Sequence, residues 1–146
     1  MSINIRPLTQ TDKADWRCLW TAYLEFYEAS VEEEVYNTTF ERLLSEDHPA
    51  QNAFLAVENG KPVGLVHFIY HPHNWRLEDV CYLQDLYADP DQRSKGVGRK
   101  LIEAVYAAAD ARGCPSVYWL TQDFNSQARK LYDRIGTLTP FIKYSR

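Results

Sequence analysis

Residues 82 to 101 constrain this chain more than any other stretch, because they pass from strand to helix through a short turn rich in glycine and positive charge. A β-prone run through Tyr82, Leu83, Gln84, Asp85, Leu86, Tyr87 and Ala88 stops at Asp89-Pro90, where proline removes a backbone donor and restricts the residue before it. From Gly98 onward, Leu101, Ile102, Val105, Tyr106, Ala108 and Ala109 recur at helical spacing, which predicts a helix to Arg112 closed by Gly113. Between the two lies Arg93-x-x-Gly96-x-Gly98, with Lys95, Arg99 and Lys100 around it. The first amides of a helix lack intrahelical partners and carry the positive end of its dipole. Glycines let the main chain curl until several N–H groups meet one anion, so the junction suits a phosphate or pyrophosphate. The alternative is an ordinary surface turn with solvated basic residues.

The rest of the chain supplies an α/β frame for that junction. Ile3–Pro7 reads as a short strand, with Thr9 or Thr11 available to cap a helix whose apolar face holds Trp16, Leu19, Trp20, Tyr23 and Tyr27. Those aromatics beside Glu25 and Glu28 serve as core or line a pocket for an amine, since aromatic faces attract cations. Phe40, Leu43 and Leu44 suggest a second short helix. Strands over Ala53–Glu58 and Val63–Tyr70 flank Asn59-Gly60, a tight-hairpin signal. A loop over 71–76 leads to the 82–88 strand, which is expected at the centre of the sheet, and Trp75 in that loop either closes over a substrate or anchors the loop. After the 98–112 helix, a strand over Ser116–Thr121 and a helix capped by Asn125 are expected. That last helix turns Ala128, Leu131, Tyr132 and Ile135 inward, and a short final strand should pack Phe141 and Tyr144. The glycine pattern falls too late for a Rossmann unit and lacks the Gly-Lys-Ser/Thr of a Walker loop.

Composition narrows the function. With 146 residues and 45% hydrophobic content, one domain with an adequate core is expected, and the start lacks a signal-peptide pattern, which points to the cytoplasm. A net charge of −4 disfavours nucleic-acid binding, and no segment is long and apolar enough to suggest a membrane span. The three cysteines, Cys18, Cys81 and Cys114, form no metal or disulfide pattern, and His67, His71 and His73 lack the acidic or thiol company of a metal site. No metal is expected.

Taken in order, Arg93, Gly96 and Gly98, followed by Asn125, Ala128, Leu131-Tyr132 and Gly136, resemble the two motifs of the GNAT superfamily of acetyl-coenzyme A dependent N-acetyltransferases. Leu19-Trp20, Phe26-Tyr27-Glu28, Asp85-Leu86-Tyr87 and the segment 115–119 are similar to the Hpa-type histone, polyamine and D-amino-acid acetyltransferases. The resemblance implies a mixed α/β sheet with splayed central strands and a bulge in the 82–88 strand. It implies that the main chain of Leu86, Tyr87 and Ala88 pairs with pantetheine, and that the segment Arg93, Ser94, Lys95, Gly96, Val97, Gly98 and Arg99 holds the pyrophosphate. Asn125 and Tyr132 would complete the cofactor site. Leu86 N–H would be the oxyanion donor and Tyr132 the acid for the leaving thiolate.

The acceptor implied is a primary amine: a polyamine, an amino acid or a lysine-bearing peptide. An alkylamine has an ordinary pKa of about 10.4 and must lose a proton before it attacks. Asp85, or a water held by Asp85 and Gln84, is the candidate base, with Tyr27, Glu28 and Trp75 as further acceptor contacts. Related polyamine enzymes carry glutamate where this chain has Gln84. A covalent route through Cys81 or Cys114 is disfavoured because no Cys-His arrangement stands out. The resemblance implies a homodimer, and a catalytically silent acetyl-CoA sensor is the alternative function.

Overall fold

The computed structural model describes residues 2–146; the side chains of Arg93 and Ser94, both expected at the phosphate, lie outside the described residues. Five strands form one sheet in sequential order, β1 (Ile3–Pro7), β2 (Gln51–Glu58), β3 (Lys61–His71), β4 (Val80–Ala88) and β5 (Val117–Tyr118). The first four pair antiparallel and β5 joins β4 in parallel. Helices α1 (Lys13–Phe26) and α2 (Glu33–Leu44) cover one face, while α3 (Val97–Arg112) and α4 (Ser126–Ile135) pack with the core of the other.

Local chemistry sets most of these boundaries. Ahead of α1, the Thr9 N–H donates to Asp12 Oδ2 at 2.7 Å and the Asp12 N–H returns a bond to Thr9 O at 3.0 Å. The first bond is the carboxylate half of a capping box, and the second closes the 3₁₀ turn over Gln10–Asp12. Arg6 clamps the same carboxylate at 2.8 and 2.9 Å, holding the Asp12 carboxyl down at about 2. Asn59 and Gly60 take φ values of 54° and 77°, as the hairpin between β2 and β3 requires. Gly113 ends α3 at φ 81°, and Asn125 Oδ1 accepts from Ala128 N–H at 3.3 Å to open α4.

Three expectations need correction. The centre of the sheet is β3, whose run Pro62–Phe68, apolar but for His67, is buried on both faces, while β4 lies next to the edge. The strand expected over Ser116–Thr121 shrinks to Val117–Tyr118, because β5 diverges from β4 beyond that point and loses its ladder. No final strand forms after Gly136; Phe141 and Tyr144 are 82% and 89% exposed, since nothing within the described chain pairs with them. The inward face of α4 is oriented as expected but only half-buried.

Helix α3 packs tightly on the sheet at Gly64 of β3. A Cβ there would meet Val97 Cγ1 at 2.6 Å and Leu101 Cδ1 and Tyr87 O at 3.1 Å, all within the core beneath α3. Gly64→Ala should therefore destabilise the fold by ~1–3 kcal/mol through overpacking. A denaturation midpoint equal to that of the parent protein would show that α3 does not sit this close.

Candidate active site

One extra residue in β4 shapes the site. The β3–β4 register pairs His67 with Asp85 and Phe68 with Leu83, so Gln84 has no opposite number. The bulge reverses which way the main chain faces. Before it, Cys81 N–H donates to Ser116 O on the β5 side at 2.9 Å; after it, Asp89 N–H donates to Val63 O on the β3 side at 2.8 Å. Alternation from these two anchors turns the main-chain groups of Leu86 and Ala88 away from β3. They face the gap opened where the β4–β5 ladder ends at Tyr82–Tyr118.

Side chains reverse with the main chain. Cys81, Leu83 and Leu86 all pack in the α3-side core, whereas Asp85 points to the α1 side. There Asp85 is 9% exposed and meets a set of donors. His67 Nδ1 lies 2.8 Å and Trp20 Nε1 3.2 Å from its Oδ2, and the carboxylate's charge reaches the Tyr23 phenol. Behind His67, the Trp16 Nε1–H donates to His67 Nε2 at 3.0 Å. Indole nitrogen only donates, so Nε2 must be the bare nitrogen and the proton sits on Nδ1. The imidazole is neutral, and its Nδ1–H donates to Asp85. Losing one partner of such a buried network costs ~1–3 kcal/mol by stranding the other.

Two cavities meet at the bulge. The larger, about 260 Å³, lies between the α1–α2 layer and the sheet, with Trp20, Thr39, Asn52, His67 and Asp85 among its walls. The smaller opens at the β4–β5 gap between Tyr23, Tyr27, Leu86, Trp119 and Tyr132. Gln84 belongs to both linings. Burial pushes the Tyr132 phenol up to about 12, with Tyr27 adding to the effect. Tyr23, Tyr27 and Tyr82 are raised as well, first by burial and then by the Asp85 charge.

At the far end of β4, residues 90–95 form a 3₁₀ turn rather than an open loop, and Gly96 at φ 76° hands the chain to α3. The first α-helical bond of α3 is from Lys100 N–H to Gly96 O, so the amides of Val97, Gly98 and Arg99 precede it. Arg99 and Lys100 are exposed in this first turn, where the helix dipole disfavours cations and favours an anion. Gly98 lies under Leu86 and Leu131, joining α3 to both the gap and α4. Lys95 is instead paired with Glu58 of β2 at 3.3 Å.

The structure thus brings Gln84, Asp85, Leu86 and Tyr132 together, with Tyr27 at the rim. It leaves out Trp75, which is 88% exposed and meets His73 edge to face in the β3–β4 loop, and Glu28, an exposed residue at φ 57° just past α1. Neither lines either of these two cavities. Trp16, Trp20 and Tyr23, read from the sequence as core or as the lining of an amine pocket, join the site together with His67, which was weighed only as a metal ligand. Their signal was a lone histidine inside the apolar run Val63–Tyr70, a setting that demands a buried partner. Among the described residues, no group of three His, Cys, Asp or Glu could hold a metal, and no helix is long and apolar enough to cross a membrane.

The acetyltransferase (GNAT) family matches residues 16–137. The chain belongs to the GNAT family. It is 37% identical over 145 residues to the D-amino-acid N-acetyltransferase HPA3 of Saccharomyces cerevisiae, covering 99% of this chain and 90% of that protein. The thialysine N-epsilon-acetyltransferase of Mus musculus is 37% identical over 73 residues, which is 50% of this chain and 41% of that protein. The solved structure of AAC(6')-Iy with the bisubstrate analogue CoA-S-monomethyl-acetylneamine shares the fold at a TM-score of 0.86 and 21% identity, covering 100% of this chain and 98% of that one. As a GNAT protein, this chain is an N-acetyltransferase.

Cysteine chemistry does not fit this GNAT site. Burial and the neighbouring Cys114 push the Cys81 thiol up to about 12, burial raises Cys114, and Cys18 alone is exposed. A disulfide-exchange reagent at neutral pH should titrate one thiol in the native protein and all three after denaturation. Rapid native reaction of a second thiol would reopen the acyl-cysteine route.

Proposed function

We propose that this protein transfers the acetyl group of acetyl-CoA to a primary amine by direct attack in a ternary complex. The observation that carries the reading is the bulge at Gln84, which turns the Leu86 main chain into the β4–β5 gap near Tyr132 and sends Asp85 to the opposite side. The residues present suit the co-substrate. The outward main-chain groups of Leu86 and Ala88 offer strand-like pairing to a pantetheine amide, with Tyr87 between them, and the start of α3 offers amides and cations to a pyrophosphate. Arg93, Ser94, Gly96, Val97, Gly98 and Arg99 form that cradle in the proposal. Asn125 fixes the start of α4 and hence the position of Tyr132.

The chemistry follows from charge. Attack on the thioester carbonyl puts negative charge on oxygen, and one donor aimed there, here the Leu86 N–H, is worth ~3–4 kcal/mol. Charge then moves to sulfur. A phenol at about 12 keeps its proton at neutral pH, and handing it to a thiolate of ordinary pKa about 8.5 is uphill. Tyr132 therefore acts first as a hydrogen-bond donor to the developing thiolate.

On the other side, Asp85 already accepts two hydrogen bonds on Oδ2, so it seats the ammonium, and the proton leaves by way of solvent beside Gln84. The relatives' names, which specify D-amino acids and thialysine, support a small molecule with a primary amine as acceptor. Lysine-bearing peptides and polyamines share that chemistry.

Acetyl-CoA dependent thiol release should appear with at least one member of a panel of thialysine, D- and L-amino acids, polyamines, aminoglycosides and a histone-tail peptide. Silence across the panel with tight acetyl-CoA binding would favour a sensor. Tyr132→Phe should lower kcat by about 10²-fold, as loss of a transition-state donor does, with acetyl-CoA affinity retained. Unchanged turnover would remove Tyr132 from the mechanism.

A further inference from the structure

We propose that Trp16 and His67 are positioning residues for the acceptor: Trp16 keeps the imidazole neutral, and its Nδ1–H fixes Asp85 so that the carboxylate's charge is left for the incoming ammonium. The proposal rests on the reading of Asp85 as the amine's seat. It starts from charge accounting. Asp85 is buried, and its hydrogen-bond partners among the described residues are His67 and Trp20. The one ionisable cation candidate is His67, at 2.8 Å. A protonated imidazole would put two donors, Trp16 Nε1–H and His67 Nε2–H, face to face at 3.0 Å, which the geometry excludes.

The carboxylate is thus hydrogen-bonded through Oδ2 by two neutral groups and, among the described residues, neutralised by none. A buried charge in that state is costly unless a counter-charge arrives, and it lies on the wall of the 260 Å³ cavity that can admit one. Its orientation is fixed as well. His67 and Trp20 both occupy Oδ2, filling its two lone-pair directions, so an ammonium must approach through Oδ1. Packing holds the donors in place: Trp16 is fully buried and its ring touches Trp20 and Phe40 at centroid distances of 5.3 and 5.1 Å. Trp16 and Trp20 lie four residues apart on one face of α1, so a single helix delivers both indole N–H groups.

Two substitutions at residue 67 separate this role from mere core packing. Asparagine places its amide N–H where the imidazole carries Nδ1–H, preserving the bond to Asp85 and abandoning Trp16. Glutamine reaches the Nε2 position, preserving the bond from Trp16 and abandoning Asp85. With thialysine as acceptor, or the most active amine of the panel, His67→Gln should raise the amine KM by about 10-fold or more, in keeping with loss of a hydrogen bond to a charged group. His67→Asn should stay near the parent value, and the acetyl-CoA KM should hold in both. A packing role predicts the reverse order, because the Trp16 N–H is the more deeply buried group, with thermal midpoint and both KM values moving together. That result would overturn the proposal.

Should His67→Gln fail to fold, Trp20→Phe removes the other donor on Oδ2 while keeping a ring, and it should give the same selective rise in amine KM; an unchanged amine KM would count against the proposal. Asp85→Asn run alongside distinguishes the two levels. If it leaves the amine KM unchanged, the reading of Asp85 falls. If it raises KM while His67→Gln does not, only the role of Trp16 and His67 falls.

Discussion

A single unpaired residue, Gln84, is the constraint on which the rest of the site depends. Strand geometry has a period of two, so one inserted residue inverts everything downstream of it. Without the bulge, the carboxylate of Asp85 would point into the apolar core under α3, and Leu86 would spend its main-chain groups on β3. With it, Leu83 and Leu86 share one face although three positions apart, and Asp85 is delivered to the indoles of α1. The end of the β4–β5 ladder complements the bulge by removing the neighbour that would otherwise have taken the freed groups.

The polar cluster across the sheet shows why such an arrangement is stable before substrate arrives. Two neutral donors hold a buried carboxylate, and each belongs to a different kind of anchor: an imidazole from the middle strand and an indole from a buried helix face. A third group, the Trp16 indole, settles the tautomer of the first. Satisfied networks of this kind make one arrangement of the core much better than its alternatives, because every partial version strands a buried group.

Most of the frame was legible because its signals are local. The Asn59-Gly60 hairpin, the Gly113 stop and the Asn125 cap each follow from what one or two residues can do, and the helix after Gly96 follows from periodicity. The pairing of His67 with Asp85 was not legible, since it joins residues 18 positions apart and depends on a register shift that no local pattern encodes. The apparent final strand failed for a related reason. A β-prone segment such as 138–144 becomes a strand only if an edge is available to it, and β5 has already diverged from the sheet by Thr121. Trp75 and Glu28 were attractive for their residue type alone, and their exposure away from both cavities shows how little residue type says about position.

The geometry also bears on how two dissimilar substrates could meet in so small a domain. One cavity lies on the α1–α2 side and is polar at Asp85; the other lies at the gap beside Leu86 and Tyr132. A continuous sheet between them would keep an amine and a thioester about a sheet's thickness apart, far beyond the ~3–3.5 Å of a near-attack geometry. Gln84 stands in both linings because the bulge interrupts the sheet there. In the proposed reaction this is where the two substrates touch. Its neutral side chain leaves Asp85, one residue away, as the carboxylate on the amine side of that junction.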